Sequence, residues 1–216
     1  MMPYIFRSQG ISYFQQNLSE LCRAGFDGIV VRNLEEVQWI NETGEKFLLI
    51  VDASLYTWNN PANQIMKESG ADRIVMPLEL NSRELNEKDC RGQELIVYGH
   101  LPMMISAQCI KKTLKNCDRQ KEVLLLKDRT QKRMPVKNHC TFCYNVLYNA
   151  SFLSLLGQEE MVKSLNPAAL RLQFTVESPE KIRQIVQCFS ECFFDGKKTE
   201  LPFSDYTTGH IKRGVL

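Results

Sequence analysis

The sequence predicts an α/β fold, a partial (β/α) TIM-type barrel with an inserted cysteine-rich loop region. Short continuous apolar runs alternate with helix-length segments over the first hundred residues, and the alternation resumes after Gly157. Buried parallel strands joined by helices have this pattern. Residues 100–157 interrupt it and hold four of the eight cysteines. We therefore expect a barrel half over residues 1–99, a cysteine-rich basic insertion over 100–157, and the last βα units with a C-terminal tail over 158–216.

The first hundred residues supply most of the predicted elements. We expect strands over residues 4–6, 28–31, 47–51, 74–76 and 95–98. We expect helices between them over residues 33–41, 60–69 and 81–89. Asn81 and Glu84 have the spacing of a capping box, and Pro61 suits the first turn of a helix.

The last sixty residues add two helices and one strand. The sequence predicts a helix over 159–165, a strand over 170–174 and a long helix opened by Ser178. Apolar residues of the long helix fit one face, and they are Ile182, Ile185, Val186, Phe189 and Phe193. The total is about six strands, whereas a closed barrel has eight. We therefore expect one domain or a fragment of a larger protein, covered by an upstream barrel domain or by self-association.

Composition excludes several classes of protein. The chain has 216 residues, of which 44% are hydrophobic and 24% charged, as in ordinary globular domains. No apolar run reaches the ~18 residues that a membrane helix needs, and the first residues lack the pattern of a secretory signal. We expect a cytoplasmic protein that binds no membrane. Cysteines in a reducing compartment are more often ligands, nucleophiles or core residues than disulfides.

The balanced total charge of +2 conceals a basic stretch. Ten basic and three acidic residues lie between Lys111 and Lys137, which gives this stretch a net charge of +7. A solvated loop or hairpin is the simplest interpretation. The alternative is a surface that binds the phosphates of a nucleic acid, because clustered Lys and Arg release counterions on binding.

Cysteines flank most of this basic stretch. Cys109, Cys117, Cys140 and Cys143 follow the spacing C-x7-C-x22-C-x2-C. Four thiolates can hold a tetrahedral zinc ion or an iron–sulfur cluster. The first pair is spaced too widely for a zinc-ribbon knuckle, which favours a cluster. The other interpretation is that some of the four are buried free thiols. We expect Cys22, Cys90, Cys188 and Cys192 to be ordinary helix or core residues.

Several segments resemble a known family. They are ELIVYGHLPMMISAQC (94–109), CTFCYNVLYN (140–149), YTTGHIKRGV (206–215), VDASLYTWN (51–59) and PLELN (77–81). In their order along the chain they resemble the collagenase-like peptidase family 32, whose catalytic type is unknown, and in particular the C-terminal part of its long bacterial members.

The resemblance implies a TIM-type barrel and, by the family's name, proteolysis. Its better understood members resemble oxygen-independent hydroxylation factors with an iron–sulfur cluster on four cysteines, and they act on bases of ribosomal or transfer RNA or on a quinone precursor. By this resemblance, Cys109, Cys117, Cys140 and Cys143 are the ligands of a [4Fe-4S] cluster. The spacing differs from that of short family members.

Residues at strand ends complete the candidate site, because barrel enzymes place their chemistry at the carboxyl ends of strands. We predict Asp52, Glu79 and His100 as catalytic residues, with Asn81 and Glu177 as further candidates for lining the site. The predicted substrate-binding residues are Lys111, Lys112, Arg129 and Arg133 from the basic stretch, and Tyr56 and Trp58 as a platform that could stack a flat ring.

Two other functions remain open at this stage. A peptidase needs an activated nucleophile or a metal-bound water, and the chain has neither a His-Glu-x-x-His nor a Gly-x-Ser-x-Gly motif. A dyad of His100 and Cys109 is the one candidate. A non-catalytic protein could instead hold zinc on the four cysteines and bind RNA with the basic stretch.

Overall fold

Three β-sheets and the helices between them form the part of the chain that the computed structural model describes, residues 1–114 and 117–214. The helices are α1 (Ser8–Arg23), α2 (Leu34–Thr43), α3 (Asn60–Glu68), α4 (Ser82–Glu87), α5 (Ile110–Thr113), α6 (Glu159–Ser164) and α7 (Pro179–Phe193). The strands are β1 (Gly28–Val31), β2 (Leu48–Val51), β3 (Arg73–Ile74), β4 (Glu94–Gly99), β5 (Pro102–Ser106), β6 (Val123–Lys127), β7 (Arg133–His139), β8 (Tyr144–Tyr148), β9 (Phe152–Ser154), β10 (Ala169–Gln173) and β11 (Tyr206–Thr207). Lys115, part of the basic stretch, lies outside the described residues.

The first sheet is parallel, with strand order β1-β2-β3. The helices that connect its strands begin at side-chain caps. Asn33 accepts a hydrogen bond from the backbone N–H of Glu36, and Asn59 accepts one from that of Ala62. Such caps satisfy backbone donors that the first helical turn leaves without partners. Pro61 lies in the first turn of α3, as the sequence predicts.

The second sheet has the order β10-β4-β9-β11. A parallel bridge between Val75 and Glu94 places the end of the first sheet beside β4, and β10 pairs with β4 in parallel. In contrast, β9 pairs with β4 antiparallel, across Tyr98 and Gly99. The predicted α/β class is therefore confirmed. No closed barrel forms among residues 1–114 and 117–214, so the structure does not confirm a TIM-type barrel.

Residues 102–148 contain the largest difference from prediction. The sequence predicts loops there, but the structure has a four-stranded antiparallel sheet of order β5-β8-β7-β6. The strands β6 and β7 form a hairpin that pairs Val123 with Lys137 and Lys127 with Arg133. The apolar run of β6, residues 123–126, has the length of a strand, but the many basic residues on either side of it favoured the loop prediction.

A smaller correction concerns the N-terminus. The strand predicted over residues 4–6 is absent, and this stretch bends instead. Met2 donates a backbone hydrogen bond to Val30 of β1 at 2.8 Å, and the guanidinium of Arg32 lies 3.7 Å from the ring centre of Tyr4. The apolar run therefore packs over the sheet edge without extending it as a ladder.

The core lies in two main clusters. One packs around β1 and β2, and the other around β4, β9 and α7. On α7, Ile185, Phe189 and Cys192 are buried, whereas Val186, which the sequence predicts on the apolar face, is 44% exposed. Among the described helices, none is long and apolar enough to cross a membrane.

Candidate functional site

The Cys140–Cys143 segment forms the tight turn between β7 and β8. The turn is closed by a hydrogen bond from the backbone N–H of Phe142 to the carbonyl of His139, at 3.0 Å. Cys143 has a φ of 56°, in the left-handed region, which lets the chain reverse within this short turn. Both cysteines are half-buried and neither forms a disulfide.

Phe142 anchors the turn against the N-terminal helix. Its ring is stacked on that of Phe14, with centroids 6.1 Å apart and planes at 3°. Tyr13 meets the same ring edge-on at 5.5 Å. Aromatic pairs of this kind add to the free energy gained from apolar burial. The cysteine turn is therefore fixed to α1 by aromatic side chains that are not part of the lining of the thiols' pocket.

Cys109 and Cys117 approach the turn from the segment around α5. Cys109 is buried and immediately precedes this helix. The backbone N–H of the next residue, Ile110, donates to Oδ1 of Asn145 on β8 at 3.2 Å. This contact ties the start of α5 to the hairpin that carries the other two thiols. Cys117 is exposed.

All four predicted cysteines line one pocket of about 670 Å³. Burial raises the pKa of the Cys140 thiol, and the neighbouring Cys109 and Cys117 raise it further. Within residues 1–114 and 117–214, no group of three or more His, Cys, Asp or Glu side chains is arranged so that it could hold a metal ion. The thiols thus share a pocket wall without converging on a point.

The donor set still suits a sulfur-ligated group. Four free thiols on one wall match the ligand number of both tetrahedral zinc and a [4Fe-4S] cluster. Asn138, which lines the same pocket, has both side-chain polar atoms buried without a hydrogen-bond partner. An orphaned amide beside four thiols fits a pocket that takes a polar ligand.

Three basic side chains line the cysteine pocket, Lys112, Arg119 and Lys121, and all are exposed. A neighbouring pocket of about 820 Å³ shares Lys121 and Cys140 with it. The predicted substrate-binding residue Lys111 differs from these three. It is 8% exposed and forms ion pairs with Asp118, at 2.7 Å, and with Glu122. Its charge is therefore neutralised by partners of the same segment.

Arg129 and Arg133 lie at the opposite end of the β6–β7 hairpin. Both are exposed, Arg129 in the turn and Arg133 at the first position of β7. Six residue steps separate Arg133 from His139 along that strand, which corresponds to about 20 Å at ~3.4 Å per residue. The predicted basic set is thus divided between the pocket and a distal site.

None of the three predicted catalytic residues lines the cysteine pocket. Asp52 is buried and ion-paired with Arg32 at 3.2 Å and with Arg171 at 3.1 Å. His100 is buried, with Nδ1 hydrogen-bonded to the carbonyl of Asn149 at 3.0 Å. Glu79 is half-buried, and its Oε2 has no partner among the described residues.

The predicted stacking platform lies in the loop that follows β2. Tyr56 is 60% and Trp58 45% exposed, and their rings meet edge-on at 6.1 Å. Neither residue lines the cysteine pocket. The two further candidates at strand ends make hydrogen bonds with nearby residues of the fold. Asn81 caps α4 in a capping box with Glu84, and Glu177 accepts a hydrogen bond from the Tyr98 hydroxyl at 3.2 Å.

Sequence reasoning missed three polar residues on the β7–β8 hairpin. Asn138 and Asn145 are buried and directly opposite each other on β7 and β8. His139 stacks on Tyr144 at 4.6 Å, and burial lowers its pKa to about 4, so the ring is neutral near pH 7. The sequence did contain a signal for the two asparagines, because each stands two residues from a cysteine, Asn138 before Cys140 and Asn145 after Cys143.

A buried ion-pair network spans the two α/β sheets. Arg171 of β10 contacts both Asp52, at the end of β2, and Glu94, at the start of β4. Arg32 also pairs with Asp52, and Arg73 lies 3.6 Å from Glu94. Buried charges are retained when each has a partner of opposite sign. This network explains why the predicted catalytic Asp52 is occupied by structural contacts.

These features define an α/β protein with a thiol-lined pocket on an antiparallel hairpin. The family model described as peptidase family U32 matches residues 2–150. Because the match covers more than half of the chain, the protein belongs to peptidase family U32. The matched range includes all four cysteines of the pocket. No curated protein and no solved structure gives a significant match.

Proposed function

We propose that this member of peptidase family U32 holds a [4Fe-4S] cluster on Cys109, Cys117, Cys140 and Cys143 and takes part in the oxygen-independent hydroxylation of an RNA base. One observation carries the proposal: the four thiols line a single pocket whose wall also contains Lys112, Arg119 and Lys121. A sulfur-ligand set and a phosphate-binding set therefore occupy the same place.

A bound cluster of this type would supply one-electron transfer. The chain's own residues hold the thiols in place. Phe142 fixes the turn of Cys140 and Cys143 to α1, and Asn145 ties the backbone beside Cys109 to β8. The buried position of Cys109 limits the access of water to that side of the pocket.

The basic side chains give the RNA part of the proposal its support. Lys112, Arg119 and Lys121 would contact phosphates near the pocket, whereas Arg129 and Arg133 would contact them at the far end of the hairpin. A linear set of cations suits a strand that tracks along a surface, because each phosphate contact releases counterions. Lys111 is left out of this surface, because Asp118 and Glu122 already pair with it.

Proteolysis, which the family's name implies, has less support from the geometry. The proposed dyad needs His100 beside Cys109, but His100 Nδ1 binds the Asn149 carbonyl and the ring packs against Phe152. His100 is also absent from the walls of both described pockets that contain Cys109. Zinc on the same thiols, without catalysis, is the other candidate that the donor set favours.

We also propose that the exposed apolar surface of this open fold is covered by a further barrel domain or by a second copy of the chain. Exposed apolar side chains on the edge strands β5 and β6, such as Met103, Met104 and Leu125, support this proposal. Sheet edges of this kind are usually covered in native proteins.

Anaerobic purification tests the cluster. We expect a brown protein with about four iron and four sulfide per chain, and loss of both in Cys140→Ser. The matched control is Cys188→Ser, a half-buried cysteine of α7 outside the pocket, which should keep the colour. A colourless protein that contains zinc would refute the cluster and support the zinc-binding alternative.

RNA binding has a separate test. We expect the affinity for a single-stranded RNA to fall with salt, and the double variant Arg119→Gln/Lys121→Gln to reduce the slope of log K against log[salt] by about 0.7 per lost phosphate contact. Lys46→Gln, an exposed lysine before β2, is the control and should leave the slope unchanged. An unchanged slope in the double variant would remove these residues from the RNA surface.

A further inference from the structure

Two asparagines of the β7–β8 hairpin contain unpartnered polar atoms. Asn138 is 3% exposed and Asn145 2% exposed. Among the described residues, Nδ2 and Oδ1 of Asn138 and Nδ2 of Asn145 have no hydrogen-bond partner. Buried polar groups in folded proteins nearly always have partners, so three such atoms on neighbouring residues require an explanation.

The position of these atoms relates them to the thiols. Asn138 and Asn145 are directly opposite in the ladder of β7 and β8. Asn138 stands two residues before Cys140 and Asn145 two residues after Cys143, so both adjoin the cysteine turn. Asn138 also lines the pocket that all four cysteines share. The buried, unpartnered amide therefore belongs to a residue of the pocket that would hold the proposed ligand.

One side-chain atom of Asn145 already has a hydrogen-bond partner. Its Oδ1 accepts the backbone N–H of Ile110, the residue after Cys109. That leaves its Nδ2 as a free donor beside the free acceptor and free donor of Asn138. Of these unpartnered donors, Nδ2 of Asn138 belongs to the residue that lines the cysteine pocket.

We propose that Asn138 donates a hydrogen bond from Nδ2 to sulfur of the group held by the four cysteines, and that Asn145 is a positioning residue for Cys109 through the backbone of Ile110. The inference rests on the proposed function, because it needs a sulfur-ligated group in the pocket. It assigns to these two residues a role in setting the properties of that group.

A hydrogen bond to sulfur has a predictable electronic effect. It stabilises the reduced form, which has more negative charge on the sulfurs, and therefore raises the reduction potential of the cluster. It also restrains the ligands, and outer-sphere partners of this kind typically change metal affinity by about 10- to 100-fold when removed. Asn138 should thus influence both the potential and the retention of the cluster.

The test uses the full chain, reconstituted anaerobically. Asn138→Leu removes the donor at similar volume, and Asn138→Asp keeps the shape but replaces the amide N–H groups by an acceptor. Asn86→Leu, at an exposed position of α4, is the control. The measurements are the reduction potential, by dye-mediated titration followed by electron paramagnetic resonance, and the rate at which a chelator removes iron.

We expect both Asn138 variants to shift the potential to more negative values and to lose iron about 10-fold faster or more, with Asn86→Leu unchanged. Asn145→Leu should accelerate iron loss as well. An unchanged potential in both folded Asn138 variants, as judged by circular dichroism, would overturn the inference. A wild-type protein that assembles no cluster would instead refute the proposed function, so the two failures are distinguishable.

Discussion

Arg171 offers the sharpest test of how the two α/β sheets are held together. Its guanidinium contacts Asp52 at 3.1 Å through Nη1 and Glu94 at 3.0 Å through Nε, with a further contact between Nη2 and Glu94. The side chain is 14% exposed, and those of Asp52 and Glu94 are 4% and 8% exposed. Arg171→Met would remove the charge and retain most of the apolar stem.

The expected loss of stability depends on which ion-pair partners Asp52 and Glu94 keep. Removing one partner of a buried ion pair typically costs about 3–5 kcal/mol, since it leaves an uncompensated charge. Asp52 keeps Arg32 at 3.2 Å, whereas Glu94 keeps, among the described residues, only Arg73, at 3.6 Å and with a side chain that is 47% exposed. We therefore expect the free energy of unfolding to fall by about 3 kcal/mol, the lower end of that range.

Urea unfolding at pH 7 measures this change. In thermal unfolding, a loss of about 3 kcal/mol from a chain of this size corresponds to a decrease in Tm of roughly 6–12 °C. Arg83→Met is the control, because its exposed pair with Glu87 on α4 should contribute about 0.5 kcal/mol or less. If Arg171→Met destabilises the protein no more than Arg83→Met does, the buried network does not hold the sheets together.

Two further predictions concern stability. Burial raises the pKa of Glu36 to about 7; the folded state therefore keeps a proton that the unfolded chain releases near pH 4.5, and stability falls as the pH rises towards 7. Glu36→Gln should be more stable than the wild type above pH 7, by up to ~3 kcal/mol, and should lose this advantage near pH 4. His139 gives the opposite slope of stability with pH, and comparing the two proteins at each pH cancels it. Equal free energies of unfolding at every pH would contradict the raised pKa of Glu36. Gly99→Ala should lose about 1–3 kcal/mol in urea unfolding, because φ is 155° and a Cβ would lie 2.7 Å from the Gln173 carbonyl. Gly92→Ala, where nothing lies within 4 Å of the added Cβ, should lose less, and equal losses would refute the steric argument.

The elements that sequence predicts well are those fixed by neighbouring residues. Asn81 and Glu84 form the predicted capping box, and Ser178 caps α7 through the N–H of Lys181. The apolar runs at β1 and β2 are strands because each is buried on alternate positions between helices. The antiparallel sheet was missed because β6, a continuous apolar run without the alternation of a half-buried strand, lies within the basic stretch; its side chains are largely exposed at the sheet edge.

The candidate site likewise has features that the sequence predicts and features that it does not. The sharing of one pocket by Cys109 and Cys140 follows from spacing and resemblance, and the structure has both in its wall. The ion pairing of Lys111 could not be predicted, because it depends on how the loop brings Asp118 and Glu122 to the lysine. Such contacts depend on tertiary structure, and no local pattern indicates them.

The hairpin that carries the cysteine turn is joined to the α/β frame at several points. The backbone N–H of Tyr4 donates to the Tyr144 hydroxyl at 3.2 Å, and Lys137 donates to the Thr175 carbonyl beyond β10 at 2.8 Å. Together with the stacking of Phe142 on α1, these contacts come from the N-terminus, from α1 and from the end of β10. Because the partners lie on both sides of residues 100–157 in the chain, the position of the thiols depends on the frame. The cysteine pocket is therefore a product of the whole fold, which an inserted loop could not form by itself.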